Sequence, residues 1–394
     1  MKRILIAWEL GGNWGHLARD VPVALALRDR GYDVHFAVRD PKTAAQFLAP
    51  HGFTFEQAPV APVRRGSRFA VAENYAGVLS TQGYGDPAVL HGLITGWLEV
   101  FRSSRAMLVI TDSAPGAKLA ARVAGLPQAA IGLGFEQPPS THPLPPIRPW
   151  ESYSVERMAL VDTAVLETFN TVLARFSATP LPKLGELFVG KWIALTTFPE
   201  LAHHGPRTDV NFVGPIYSAP QDAHEVHWPD VRGPRLLAYL RPTTRGLDAI
   251  LAALGSLGTV IACVPGLAAP PASAVGACHI YTRGLQLQHL VPQADILVTN
   301  GSLTTSTLAL LAGVQVLSVP NYVEQHLGAL RIKELGAGLI ATRRRSEREL
   351  SVLLRQLLHG SFRDNARRFA QRYPNETVAK AVNRAVNLFE AAAR

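Results

Sequence analysis

The feature that most constrains the fold of this 394-residue chain is an alternation carried through twice. Short apolar, β-branched runs recur between stretches of helical periodicity: "RILIAW", "DVHFAV", "AMLVIT" and "QAAIGL" in the first half, then "RLLAYL", "TVIACV", "DILVTN" and "VQVLSV" in the second. Strands buried on both faces read as such runs, and parallel neighbours need helical crossovers between them. The pattern predicts parallel sheets covered by helices on both faces. It is interrupted at residues 196–234, a stretch rich in Pro, Gly and His. One core rarely organises a chain this long, so the interruption reads as a connector, with a last strand before Val213 and Gly214. The expected organisation is an N-terminal domain over 1–200, a connector over 201–233, a C-terminal domain over 234–375 and a closing helical segment over 376–394. Both domains are expected to be doubly wound, Rossmann-like α/β units facing a cleft.

Composition narrows the classes. Apolar residues make up 47% and charged residues 18%, which argues against disorder. The formal charge of +9 allows anionic partners, but the basic clusters, Arg64, Arg65 and Arg68 and then Arg343 to Arg348, lack the interleaved aromatics of a nucleic-acid groove. Cys263 and Cys278 are too few for a disulfide scaffold and fit a reducing, cytoplasmic setting. No apolar run is long enough to span a bilayer, so any membrane contact is expected to be peripheral, at the inner face. His224 and His227 are spaced like metal ligands but lack companions, and read as surface residues.

Ligands of open α/β sheets gather at the carboxyl ends of strands. After the first run comes "ELGGNWGHLARD", Glu9 to Asp20. Gly11, Gly12 and Gly15 allow positive φ and close approach of a ligand, and His16 falls at the mouth between strand and helix. Helical periodicity follows through Leu17, Val21, Ala24, Leu25 and Arg28, with Pro22 either opening the regular helix or lying inside one that begins near His16. The loop is not Gly-x-Gly-x-x-Gly and no acidic residue ends the second run, which argues against a dehydrogenase. Asp112, in "VITDSAPGAKLAARVAGLP", ends another run. It either meets the imidazole and fixes its tautomer or caps the next helix. In the second half, "TNGSLTTS" follows a strand and opens an apolar helix, so unpaired N–H groups and hydroxyls form an anion site.

The stretch Asn300-Gly301-Ser302, the helix "TSTLALLAGV", Pro320, Glu324, Gln325 and "LGAG", together with Gly15-His16, "YLRP" and "QLQHLVPQAD", resembles the GT-B fold glycosyltransferases of the UDP-glycosyltransferase type. The resemblance covers nearly the whole chain. It implies an inverting, metal-independent transfer of a sugar from a nucleotide-sugar donor, UDP- or dTDP-linked, to an acceptor hydroxyl of a lipid, glycan or small molecule, with no cofactor. His16 is then the general base and Asp112 its partner. Arg241, Asn300, Gly301, Ser302, Thr304, Thr305, Glu324 and Gln325 fall on the donor side; Gly12, Asn13, Trp14 and Glu136 fall on the acceptor side. An imidazole can take the proton of a poor hydroxyl nucleophile, and helix N-termini with an arginine can stabilise the leaving diphosphate. The chain has no Asp-x-Asp metal motif.

Three departures stand out. Asn300 replaces a phosphate-touching His, Leu308 replaces a ribose-holding Glu, and Gln315 replaces the Pro of "GVP". They motivate an alternative, a catalytically inactive paralogue that binds nucleotide or glycan as a partner protein; a nucleotide-sugar epimerase suits the Gly-His start less well. Residues 60–105 carry Phe69, Tyr75, Tyr84, Trp97 and Phe101, where acceptor loops of this fold lie, although Trp97 and Phe101, four apart on a helix, read as core.

Overall fold

The computed structural model describes residues 2–12, 14–61, 71–218, 223–230, 233–269, 278–341 and 346–394. Two compact units emerge. The first comprises Met1–Pro199, Pro206–Ser218 and Val378–Arg394, and the second Glu200–Gly205 and Ala219–Thr377.

The first unit is built on seven parallel strands: β1 (Arg3–Trp8), β2 (Asp33–Val38), β3 (Thr54–Gln57), β4 (Leu108–Asp112), β5 (Gln128–Gly132), β6 (Ile193–Leu195) and β7 (Asn211–Phe212), in the order β3-β2-β1-β4-β5-β6-β7. Within β1, Leu5 and Ala7 enter one core while Ile4, Ile6 and Trp8 enter the other. The two-residue period of a strand thus feeds helices on both faces, which is why the run is apolar throughout. The chain adds strands on one side of β1, then returns to add β4 on the other. The carboxyl ends of β1 and β4 therefore flank a topological switch point, where loops diverge and leave room for a ligand.

The helix Gly15–Asp29 follows β1 and contains Pro22. Proline has no N–H for the carbonyl four residues earlier. That carbonyl, on Ala18, instead accepts the Ser218 hydroxyl at 3.1 Å. Buried apolar positions are Leu17, Val21, Val23, Ala24 and Leu27; the periodicity had placed Leu25 and Arg28 on that face, but Leu25 is half-buried and Arg28 exposed. The helix Val378–Ala392 buries Ala381, Val382, Ala385, Val386 and Phe389 in the same core. Arg30 bonds Asn387 and Glu390 on it at 2.7 and 2.6 Å, and Arg384 bonds the Val213 carbonyl.

The second unit has six parallel strands: β8 (Arg235–Tyr239), β9 (Thr259–Cys263), β10 (His279–Tyr281), β11 (Ile296–Thr299), β12 (Gln315–Ser318) and β13 (Gly338–Ile340), ordered β10-β9-β8-β11-β12-β13. The same winding rule places its switch point between β8 and β11. His224 pairs with Leu285 in an isolated parallel bridge beside this sheet. Among the described residues, no helix is long and apolar enough to cross a membrane.

Candidate active site

At the first switch point, Trp8 and Asp112 are register partners at the ends of β1 and β4. Past Trp8 the chain turns through Gly11 at φ +81° and enters the helix at Gly15. The turn is tied down by Leu10, whose N–H donates to the Ser113 carbonyl at 2.8 Å and whose carbonyl accepts Trp8 Nε1 at 2.9 Å. Ser113 itself holds φ +47°, a costly conformation for a residue with a side chain, directly after the buried carboxylate.

His16, in the first turn of the helix, stacks on the Trp8 indole with centroids 5.1 Å apart. Its Nδ1 lies 2.8 Å from Asp112 Oδ2. A carboxylate accepts, so the proton sits on Nδ1 and Nε2 is left with its lone pair. A β-carbon on Gly11 would come within 2.7 Å of Nε2, so the glycine keeps that nitrogen clear. Burial opposes ionisation of Asp112, but Arg19 and then His16 outweigh it and hold the carboxyl well below the usual range.

Asp112 is not a helix cap. The helix Pro115–Ala124 has no side-chain cap at Ala114; its Gly116 and Ala117 N–H groups donate to Glu9 Oε2 at 2.8 and 3.3 Å. Glu9 also accepts the Tyr84 hydroxyl. A β-carbon at Gly116 would meet Glu9 Oε1 at 2.5 Å, so that glycine admits the carboxylate. Burial pushes the Glu9 carboxyl up to about 7.

Among residues expected near an acceptor, Gly12 is exposed and Trp14, 43% exposed, packs edge-on against Phe47. Asn13 lies outside the described residues, as do Phe69 and the basic clusters except Arg348. Glu136 turns back to accept the Leu133 N–H at 3.1 Å. Tyr75 and Tyr84, like Trp97 and Phe101, are buried in the core, so these four aromatics do not face an acceptor. Sequence reasoning missed Arg19 and Asp20, both buried, and Glu9. Positions 19 and 20 follow His16 by three and four residues, which placed them on its helical face.

At the second switch point, Asn300 follows β11 and is 3% exposed. Its Oδ1 accepts the Arg241 N–H at 2.9 Å, and its Nδ2 donates to Thr244 Oγ1 at 3.0 Å and the Val319 carbonyl at 3.3 Å. The amide thus clips together the loops that follow β8, β11 and β12. Gly301, at φ +83°, runs so close to the Gln325 backbone that a β-carbon would lie 2.7 Å from its carbonyl oxygen. Then the helix Leu303–Leu311 opens with no side-chain cap, and Thr305 Oγ1 donates to Ser302 Oγ at 3.2 Å. Thr304 is half-buried. Gln325 is buried and accepts the Asn321 N–H at 2.9 Å, Glu324 is half-buried, and the Arg241 guanidinium lies 6.0 Å from the Tyr322 ring centroid. Uncapped N–H groups, hydroxyls and an arginine gather at one strand-helix mouth, a chemistry suited to a phosphorylated ligand.

No family model matches the chain. It is 26% identical to a PGL/p-HBAD biosynthesis rhamnosyltransferase of Mycobacterium bovis, over 96% of this chain and 85% of the relative. The glycosyltransferase VinC, solved in complex with dTDP, superposes with TM-score 0.69 at 18% identity, covering 99% of this chain and 100% of VinC. The spinosyn rhamnosyltransferase SpnG superposes with TM-score 0.67 at 15% identity, over 100% and 99%. Two parallel-sheet units and these likenesses define a two-domain, Rossmann-like GT-B fold. In sequence the chain is similar, over nearly its whole length, to mycobacterial proteins named as glycosyltransferases.

Proposed function

We propose that the chain inverts the anomeric centre in one displacement, with His16 as general base and Asp112 as its partner. The acceptor hydroxyl gives its proton to His16 Nε2 while its oxygen bonds to the anomeric carbon and the bond to the diphosphate oxygen breaks. Asp112 then balances the imidazolium. The observation that carries this reading is the 2.8 Å contact between Nδ1 and Asp112, because it leaves Nε2 as the proton acceptor.

The donor belongs to the second unit. N–H groups at the start of the helix Leu303–Leu311, the hydroxyls of Ser302, Thr304 and Thr305, and Arg241 would take up the charge of the leaving diphosphate, so no metal is required. Asn300 supports this reading by fixing the Arg241 loop rather than by touching phosphate, and Glu324 and Gln325, in the first turn of the helix Val323–Glu334, would meet the sugar. We infer a dTDP-linked 6-deoxyhexose, rhamnose above all. Leu308, where the resemblance has an acid for the ribose, offers nothing to a 2′-hydroxyl; VinC was solved with dTDP, and the mycobacterial relative and SpnG are named rhamnosyltransferases.

His16→Ala tests the assignment. Transfer from dTDP-rhamnose should fall by about 10²- to 10⁴-fold, with dTDP affinity by calorimetry unchanged. Wild-type turnover in that variant would remove His16 as the base. Persistence of wild-type turnover after exhaustive chelation would support transfer without a metal, and its loss would refute that part.

A further inference from the structure

Asp112 is fully buried and serves two donors. His16 Nδ1 lies 2.8 Å from Oδ2, and Arg19 Nη2 donates to Oδ1 at 2.5 Å. His16 and Arg19 stand three apart in one helix, so both side chains leave the same face toward one carboxylate. Arg19 is 4% exposed. A guanidinium so placed is a poor substrate ligand, and its burial requires a compensating charge. That charge is Asp112. The neighbouring Asp20, whose Oδ1 is 3.9 Å from Arg19 Nε, is held well above the ordinary carboxylate range by burial first and by the Asp112 charge next. Arg19 and Asp112 therefore form the ionised pair, and the imidazole meets a carboxylate already fixed on its far oxygen.

We propose that Arg19 is a positioning residue for the transfer: by occupying Oδ1 it keeps Asp112 ionised and turned so that Oδ2 meets His16 Nδ1. The inference rests on His16 acting as the base. Arg19 Nη2 also lies 3.2 Å from His16 Nδ1, but the proton on that nitrogen is directed at Asp112 Oδ2 and leaves it no free lone pair to accept from the guanidinium, so the productive link runs through Asp112 and the effect of Arg19 must shrink when Asp112 can no longer play its part.

A double-mutant cycle reads this directly. Arg19→Gln, Asp112→Asn and the double variant are assayed as dTDP release from dTDP-rhamnose, with kcat and donor KM separated and thermal melting recorded. Arg19→Gln should lower kcat by about 10- to 100-fold and leave donor KM unchanged, and Arg19→Lys should recover part of the loss. In the Asp112→Asn background, Arg19→Gln should cost less than about twofold. An equal loss in both backgrounds would overturn the proposal. So would a loss that appears in KM and melting together and is not recovered by lysine, since that is the signature of damaged packing. If Arg19→Gln does not fold, Arg19→Lys is carried through the same cycle under the same criterion. Full kcat in Asp112→Asn alone places the failure in the base assignment and removes Arg19's role with it, whereas a large Asp112→Asn loss with an additive Arg19 effect overturns Arg19 only.

Discussion

Trp8 and Asp112 are register partners across two neighbouring strands, and His16 is held by both, stacked on the indole of one and bonded to the carboxylate of the other. The imidazole thus takes its place from the ends of two strands rather than from its own loop. A rigid sheet edge is a better reference for a proton acceptor than a flexible turn.

Gly11→Ala should be more damaging than a glycine at an exposed turn would suggest. The new methyl would approach His16 Nε2 to 2.7 Å, in a backbone with φ +81°. The left-handed conformation alone costs about 1–2 kcal/mol, and the imidazole must shift as well. Turnover should fall at least tenfold while dTDP affinity stays the same, because the proposed donor residues lie in the other unit; assays of both quantities check it.

Asn300→Ala should act on the donor side without touching the base. Three hydrogen bonds of a buried amide are lost, including the one to the Arg241 N–H, which would leave polar groups unpaired at about 1–3 kcal/mol each. Denaturant unfolding should show the loss, and calorimetry should show weaker dTDP binding.

Glu9 gives a pH dependence whose sign follows from burial. Its carboxyl moves from an ordinary 4.5 to about 7. Between these values the folded chain binds more protons at this site than the unfolded chain, so stability falls as pH rises through the window. Below it the penalty is absent, and above about 7 it is complete, on the order of 3 kcal/mol. Glu9→Gln should flatten this slope, as measured by urea unfolding at pH 4.5, 6 and 8. Parallel slopes in the two proteins would refute it.

The proposed donor and Leu308, which offers nothing to a 2′-hydroxyl, give a nucleotide preference to test. Thermal-shift measurements should show dTDP raising the melting temperature more than UDP does, since stabilisation follows ligand concentration over Kd. Leu308→Glu should narrow the difference. Equal shifts in the wild type would contradict it.

Much of this architecture was legible in the residues. All eight apolar runs became β1, β2, β4, β5, β8, β9, β11 and β12, the inner strands and their neighbours. The strands that carried no such signal, β3, β6, β10 and β13, are short and lie toward the outer ends of their sheets, and β7 was anticipated only as a strand before Val213. β3, β10 and β13 are edge strands, which bury less and need not be apolar, whereas β6 is fully buried but only three residues long, too short to stand out as a run. At the site, the glycine turn and the strand-ending Asp112 pointed to the right loops. Arg19 was obscured because a charged residue on a helix normally signals the solvent face; here the buried carboxylate of a distant strand claims it. Glu9 was obscured for a related reason, since the helix it caps starts more than a hundred residues later.

The reaction proposed here is a single displacement driven by His16 and Asp112. Its most direct measurement is the anomeric configuration, by NMR, of the glycoside formed by the purified chain from dTDP-rhamnose of known configuration and a simple phenol, run beside His16→Ala. A single displacement with His16 as base yields a product of opposite configuration to the donor, and none above background from the variant. A product that keeps the donor's configuration, or the same yield from His16→Ala, would contradict it.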